Sequence, residues 1–298
     1  MKQIIISFLI LFVGLELFGC ASPSQSADQP SSSSKTSSIQ DVGSDTLVNL
    51  ALAWAERYQQ SRSNIRISVT GGGSGTGLAA LINGTTDIAN ASRAITSDEL
   101  KQAKAKGENP KEFVVSRDAI AVIVNPTNPI KQLTLKQISR IYKGETNNWS
   151  ELGGENRPIV RLSRESNSGT HVYFLGAVIR LGSSTDKSIF SEDTLLLPSS
   201  EGIIAELKDN PNAIGYDGLG YVTKDVKVLA VAKDIARPYV LPSAVTVNNN
   251  TYPISRDLYM YTNGEPSGAL KDYLDWIYSA EAQKIVSDLG FVPVKTVK

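Results

Sequence analysis

Two clusters of small polar residues far apart in the chain, Thr70-Gly-Gly-Gly-Ser-Gly-Thr-Gly77 and Arg164-Glu-Ser-Asn-Ser-Gly-Thr170, each run directly into an apolar stretch of helical pattern. A third, Val42-Gly-Ser-Asp-Thr46, precedes a helix that begins near Leu47. Small residues at a helix start leave the first backbone N–H groups uncovered, and with the helix dipole those groups favour a negative ligand. Ser and Thr hydroxyls add donors, and an arginine such as Arg164 can add a forked, charge-assisted contact. The chemistry expected of the three turns together is an anion clasp, which requires no nucleophile.

Motifs for the rival chemistries are missing. The 71–77 loop has no P-loop lysine and does not satisfy Gly-x-Gly-x-x-Gly, and no Gly-x-Ser-x-Gly elbow frames Ser74 or Ser168. With 1 His and 1 Cys the chain is poor in zinc-hydrolase ligands, while a carboxylate-bound metal site stays open. The expectation is no enzyme, no cofactor and no metal. His171 should pack or hydrogen-bond as an ordinary helix residue, and Trp54, Trp149 and Trp276 should belong to the core. Lys plus Arg equals Asp plus Glu at 30 each, so the basic surplus of a nucleic-acid binder is absent. An anion must then be held by local dipoles and one or two placed charges.

The elements that would position these turns alternate between strand and helix. Leu47, Leu50, Ala51, Trp54, Ala55 and Tyr58 recur at helical spacing, and Ile65, Ile67 and Val69 alternate as in a strand. A short helix over 78–82 follows the glycine loop, then a strand near 87–91. Thr96 with Glu99 makes a capping box for a helix over 100–106, and Thr134 caps another through Leu135, Ile138 and Ile141. The apolar run 119–124 reads as a buried strand that crosses between lobes. Residues 159–162 and 213–216 read as further strands, 170–179 as the helix after the arginine cluster, and Ser199 as the cap of a helix through 203–207. Residues 252–261 should return to the first lobe ahead of one closing helix over 270–289. This alternation predicts α/β lobes with mostly parallel sheets, whose ligands sit outside the carboxyl ends of the strands. The body from Asp41 onward exceeds the usual size of a single core, so two lobes are expected.

The amino-terminal residues speak to location. Lys2, an apolar run from Ile4 to Leu15, and Leu17-Phe18-Gly19-Cys20 have the form of a secretory signal, too short to span a bilayer. The Leu-Phe-Gly-Cys ending resembles a bacterial lipobox, in which Cys20 is lipidated and anchors the chain to the membrane. Residues 21–40 are rich in serine and read as a flexible tether. The folded body is expected outside the cytoplasmic membrane, lipid-anchored and periplasmic or cell-surface.

The whole mature chain resembles the phosphate-binding proteins of bacterial ABC-type phosphate importers, the PstS family. The matching segments are Gly43-Ser-Asp-Thr46, Gly71 to Gly77, Ala91-Ser92-Arg93, Leu133 to Ile138 with Tyr142-Lys-Gly144 and Asn148-Trp-Ser150, Ser163-Arg164 with Ser168-Gly-Thr170, and Asn212 to Tyr216. The resemblance implies a two-lobed periplasmic-binding-protein type II fold, each lobe a mostly parallel sheet flanked by helices, joined by crossing strands. Lobe one would comprise residues 41–117 with 257–298, and lobe two residues 118–256, after a signal at 1–19 and a lipidated tether at 20–40. The implied ligand set is Ser44, Asp45, Thr46, Ser74, Gly75, Ser92 and Arg93 from one lobe, and Arg164, Ser168, Gly169 and Thr170 from the other. The implied activity is capture of inorganic phosphate by a monomer that delivers it to the permease subunits of an ABC importer. A binding protein for sulfate or molybdate, or a sensor or other surface lipoprotein on the same fold, are the alternatives.

One departure stands out. Many members of the family end the Ala-Ser motif with an aspartate that accepts the proton of hydrogen phosphate, where this chain has Arg93. Asp45 is the expected replacement, unless it simply caps the Leu47 helix. Arg93 could touch the ligand or pair with Asp87, Asp45 or Asp98, and Arg164 could pair with Glu165.

Overall fold

The computed structural model describes residues 36–294; the signal, Cys20 and most of the tether lie outside them. The chain begins with β1 (Ser37–Gly43), α1 (Asp45–Gln60), β2 (Ile65–Thr70), α2 (Ser74–Ile82), β3 (Ile88–Ala91) and α3 (Ser97–Ala105). The long β4 (Pro110–Val124) then leads to β5 (Gln132–Thr134), α4 (Leu135–Tyr142), β6 (Val160–Arg164), α5 (Gly169–Phe174), β7 (Leu195–Leu197), α6 (Ser200–Asp209) and β8 (Ala213–Gly218). Short β9 (Lys227–Val228), β10 (Ala230–Ala232) and α7 (Ala244–Asn248) precede β11 (Ser255–Asn263), α8 (Gly268–Ile277), α9 (Ala280–Asp288) and β12 (Val292–Pro293).

The main sheet has the order β2-β1-β3-β11-β4-β8-β6-β7. Its flanks are parallel: β1 lies between β2 and β3, and β6 between β8 and β7. The centre is antiparallel, because β4 and β11 run side by side from Ser255 opposite Ala119 to Asn263 opposite Pro110. These are the crossing strands. One core gathers Leu47, Leu50, Trp54 and Tyr58 of α1 with Leu274, Ile277 and Val286 of the terminal helices. Another gathers Ile120, Val122 and Val124 with Ile138, Tyr142, Trp149, Phe174 and Tyr216. The described residues nonetheless make one compact unit, because hydrogen bonds such as Asn49 Nδ2 to Glu201 Oε1 (3.1 Å) cross between the halves.

Two expectations need correction. The tether does not reach residue 40: Ser37 to Gln40 already pair with Ile65 to Ser68 in parallel register, with Ile39 buried against α1. Serines are compatible with an edge-proximal strand once one face finds apolar neighbours. The single closing helix is two, since the Ser279 hydroxyl accepts from the Ala282 N–H and starts α9 afresh. The capping boxes at Thr96 and Thr134 are present as expected.

Candidate anion-binding site

The starts of α1, α2 and α5 meet where the two halves of the sheet face each other. Each follows the carboxyl end of a parallel strand, β1, β2 and β6 respectively. Thr46 Oγ1 in the first turn of α1 lies 2.8 Å from Thr170 Oγ1 in the first turn of α5. Ser74 Oγ, which opens α2, accepts from the Ser92 N–H (2.9 Å) and lies 3.2 Å from Ser92 Oγ. All four residues are buried. Gly169 closes the group: a Cβ at this position would stand 2.3 Å from Ser74 Oγ and 2.6 Å from Ser92 Oγ, so only glycine permits the approach. Residues 46, 74, 92, 169 and 170 of the expected set are therefore brought together.

Ser44 and Ser168 are the N-cap residues of α1 and α5, and both are buried. Neither side chain caps its helix. In α1 the first intrahelical bond is Leu47 N–H to Ser44 O, and in α5 it is Val172 N–H to Ser168 O. The N–H groups ahead of those bonds are the donors that a helix start leaves without an intrahelical acceptor. Gly73 opens α2 with φ +92°, a conformation that glycine adopts without a Cβ penalty.

Charges frame these donors. Arg164, at the end of β6, is buried and donates from Nη2 to Asp45 Oδ2 (2.7 Å) and the Pro198 carbonyl (2.8 Å), from Nη1 to Ser200 Oγ (2.7 Å), and from Nε to the Leu197 carbonyl (3.3 Å). Asp45 Oδ1 also accepts the Gly72 N–H (3.2 Å), and its main-chain carbonyl accepts from Tyr221 Oη (2.6 Å). Behind Arg164 sits Asp217, fully buried, whose Oδ1 accepts from Ser200 Oγ (3.0 Å). Burial pushes the Asp217 carboxyl up from its ordinary range and the Arg164 guanidinium pulls it back part of the way. Asp45 is thus neither a helix cap nor a free carboxylate, and Arg164 does not pair with Glu165.

Two expected ligand residues are placed elsewhere. Arg93 makes a forked ion pair with Glu99, Nη2 to Oε1 at 2.7 Å and Nη1 to Oε2 at 2.8 Å, and its partner is none of Asp87, Asp45 or Asp98. The helix α3 presents Glu99 as the acceptor of its own capping box, directly beside Arg93, and a forked pair to a half-buried carboxylate outcompetes a longer reach. The Gly75 N–H, expected to face the ligand, donates to the Asn167 carbonyl (2.9 Å), and Asn167 Nδ2 donates to the Gly72 carbonyl (2.8 Å). Those two bonds fasten the glycine loop to the arginine turn. Asn167, Ser200 and Asp217 were not singled out in the sequence; Asn167 lies inside the Arg164–Thr170 motif, but nothing local marks the other two. His171 packs as expected, stacked on Phe190 with ring centroids 4.3 Å apart and Nδ1 2.8 Å from the Arg164 carbonyl. Burial holds its pKa below the ordinary value.

Comparison with known proteins gives the family and the fold. Residues 28–281 match the model of the PBP superfamily domain. The phosphate-binding protein PstS of Pseudomonas aeruginosa is 33% identical over 273 residues, covering 86% of this chain and 83% of that protein. PstS of Bacillus subtilis is 33% identical over 285 residues, covering 94% and 90%. Among solved structures, a phosphate-bound protein from Clostridium perfringens, assigned as the substrate-binding component of a phosphate ABC transporter, superposes with a TM-score of 0.77 at 31% identity, covering 87% of this chain and 100% of its own. An ABC-type phosphate transport receptor from Vibrio cholerae gives 0.68 at 27% identity, covering 85% and 99%. With its strand order, its crossing strands and the meeting of three helix starts in one cleft, this chain belongs to the PBP superfamily and, within it, to the PstS family of phosphate-binding proteins.

Proposed function

We propose that this protein captures inorganic phosphate between two lobes and delivers it to an ABC-type importer. The observation that carries the reading is the convergence of the Thr46, Ser74, Ser92 and Thr170 hydroxyls at the starts of α1, α2 and α5. These hydroxyls, with Ser44, Ser168, Gly169 and the first-turn N–H groups, form the ligand set; Arg164 supports it through Asp45. The lobes are residues 37–117 with 257–294, and 118–256. Each lobe contributes donors, so closure adds contacts to the ligand, and that difference in contact energy drives the population toward the closed form. The closed surface is what the permease subunits read. The reading includes no turnover: phosphate esters incubated with the protein, with or without divalent metals, should remain intact.

Selectivity falls to Asp45. Its carboxylate already receives Arg164 and the Gly72 N–H, and the lone pairs left over can accept the proton of hydrogen phosphate. Sulfate has no such proton near neutral pH. A site built on that hydrogen bond can reject an analogue lacking it by about four to five orders of magnitude. Calorimetric titration of the body with phosphate, sulfate and molybdate tests the function: phosphate should bind tightly and the others weakly, and sulfate or molybdate binding in preference to phosphate would replace the ligand assignment. In Asp45→Asn the gap between phosphate and sulfate should narrow; an unchanged ratio removes Asp45 from this role.

The location proposed is the outer face of the cytoplasmic membrane, held by lipid on Cys20, with the body acting as a monomer. Changing Cys20 to alanine should release the protein from the membrane fraction.

A further inference from the structure

Asp118 of β4 and Arg256 of β11 stand directly opposite each other in the register of the crossing strands. Both side chains are buried, and Arg256 Nη2 lies 2.9 Å from Asp118 Oδ2. The pair does more than neutralise itself. Arg256 Nη1 donates to the Ser92 carbonyl (2.9 Å), and Nη2 is 3.4 Å from Thr46 Oγ1. Asp118 Oδ1 accepts the Leu219 N–H (3.2 Å), just past the end of β8. Gly218 passes so close that a Cβ there would lie 2.9 Å from Asp118 Oδ2 and 3.2 Å from Thr46 Cγ2. The guanidinium also faces the Tyr173 ring at 5.8 Å, and Tyr173 belongs to α5. One ion pair on the crossing strands therefore touches α1, the end of β3, the end of β8 and α5.

We propose that the Asp118–Arg256 pair is a positioning device for the anion clasp: Arg256 donates to Thr46 Oγ1, so that the Thr46 hydroxyl turns its single proton into the clasp, onto Thr170 Oγ1 in the free protein and onto the ligand when one is bound, while Asp118 ties that arrangement to the second half through Leu219. The physical basis is the chemistry of a hydroxyl, which carries one donor and two acceptor sites. Arginine has donors and no acceptor, so Thr46 can only accept from it, and the remaining O–H is directed into the clasp. Replacement of Thr46 or Ser92 alone would remove a ligand contact; removal of Arg256 leaves both hydroxyls in place but lets the Thr46 rotor choose. The two crossing strands are the place where such a device can sense both halves, since they run through each. The proposal rests on the phosphate reading above and adds residues that do not touch the ligand.

The test is a double-mutant cycle in the full-length chain, with phosphate affinity read by calorimetry and folding followed by thermal melting. Arg256→Gln and Thr46→Val are each expected to weaken phosphate binding by about tenfold, the worth of one hydrogen bond to a charged ligand. Because Arg256 acts through Thr46, the double variant should be no weaker than Thr46→Val alone, a departure from additivity that general destabilisation does not produce. Additive losses, or an unchanged affinity in Arg256→Gln, overturn the proposal. Removing one partner of a buried pair can unfold a protein, so Arg256→Lys is measured in the same cycle. It keeps the charge against Asp118 but cannot span Thr46 and the Ser92 carbonyl together, and it should show the same coupling; a lysine variant with wild-type affinity refutes the geometric role. If the unaltered protein binds no phosphate, the functional reading falls first and this inference falls with it, whereas additive losses in a phosphate-binding protein sink the inference alone.

Discussion

Helix starts in this molecule are finished in two different ways. In α3, α4, α6, α7 and α9 the residues Thr96, Thr134, Ser199, Ser243 and Ser279 each accept a backbone N–H from the first turn with their hydroxyl. In α1, α2 and α5 they do not: Ser44 and Ser168 carry the right side chain and leave it unused, and Gly73 has none. A buried helix start without a cap leaves desolvated donors, which a fold avoids unless something else accepts from them. The open starts are buried and converge on one another, whereas α8, the other helix that begins without a side-chain cap, starts at exposed Ser267, where water can serve. The contrast teaches that the open starts are an arrangement for an acceptor from outside the chain, and an oxyanion is such an acceptor.

Asp41 is the challenge to that comparison, since it is buried polar chemistry left unpaired away from the three helix starts. Both of its carboxyl oxygens, and Asn90 Oδ1 beside it, find no partner among the described residues. Burial raises its pKa to about 8, with the Asn90 side chain opposing the shift. A carboxyl that burial keeps protonated carries no charge to be paired, so Asp41 calls for no ligand. The sign follows directly. Between the ordinary carboxyl pKa of 3.8 and about 8 the unfolded chain has lost this proton and the folded chain retains it, so stability falls as pH rises through that window and levels off above it. At pH 7 the shift corresponds to roughly 4 kcal/mol at about 1.4 kcal/mol per unit. Asp41→Asn has no proton to lose, so its stability relative to the wild type should increase from pH 4 to pH 8 in denaturant titrations. Parallel curves for the two proteins would mean that Asp41 is ionised and unpaired in the fold, and the contrast between the open starts and the rest of the molecule would lose its force.

A second variant presses on the cleft itself. In Gly169→Ala the new methyl would sit at 2.3 Å from Ser74 Oγ, so the two halves cannot approach as they do here. Overpacking of a tight contact costs about 1–3 kcal/mol, which at constant fold should appear as a roughly 5- to 150-fold weaker phosphate affinity, because the contact exists only across the cleft. A loss of melting temperature with unchanged affinity would place the contact in the folding core and not in the binding step.

How far the sequence carries this picture depends on the range of the interaction. Local signals were legible: the helical spacing from Leu47 to Tyr58, the Thr96–Glu99 box, and the three small-residue turns all act within a few residues, so composition and spacing suffice. Pairings set by the sheet were not. Arg256 and Asp118 are far apart in sequence, and only the register of β4 against β11 puts them opposite each other. The same holds for Ser200 and Asp217 behind Arg164. The sequence leaves Arg93 open between a ligand contact and an ion pair, because a long side chain is free to turn to the nearest good acceptor, and only the fold shows that acceptor to be Glu99. The tether was drawn too long because serine content speaks for flexibility only until a neighbouring strand supplies the ladder.

The finest test separates the two kinds of helix start by the quantity each should control. Thr96→Ala removes a working cap on α3, a hydroxyl that touches no clasp residue, and should lower stability by about 1 kcal/mol without altering phosphate affinity, since the Arg93–Glu99 pair keeps both its bonds. Ser168→Ala removes a hydroxyl that caps nothing, so stability should change by less than that, while affinity should fall by about threefold to tenfold, the range of a net hydrogen bond. Ser44→Ala should follow Ser168→Ala on the same reasoning. The informative result is the crossing of the effects: a cap variant that moves only the melting curve, and a cleft variant that moves only the binding curve. If Ser168→Ala lowers stability as Thr96→Ala does and leaves binding intact, the serine is a cap whose geometry tightens in solution, and the N–H groups of α5 are closed to any ligand.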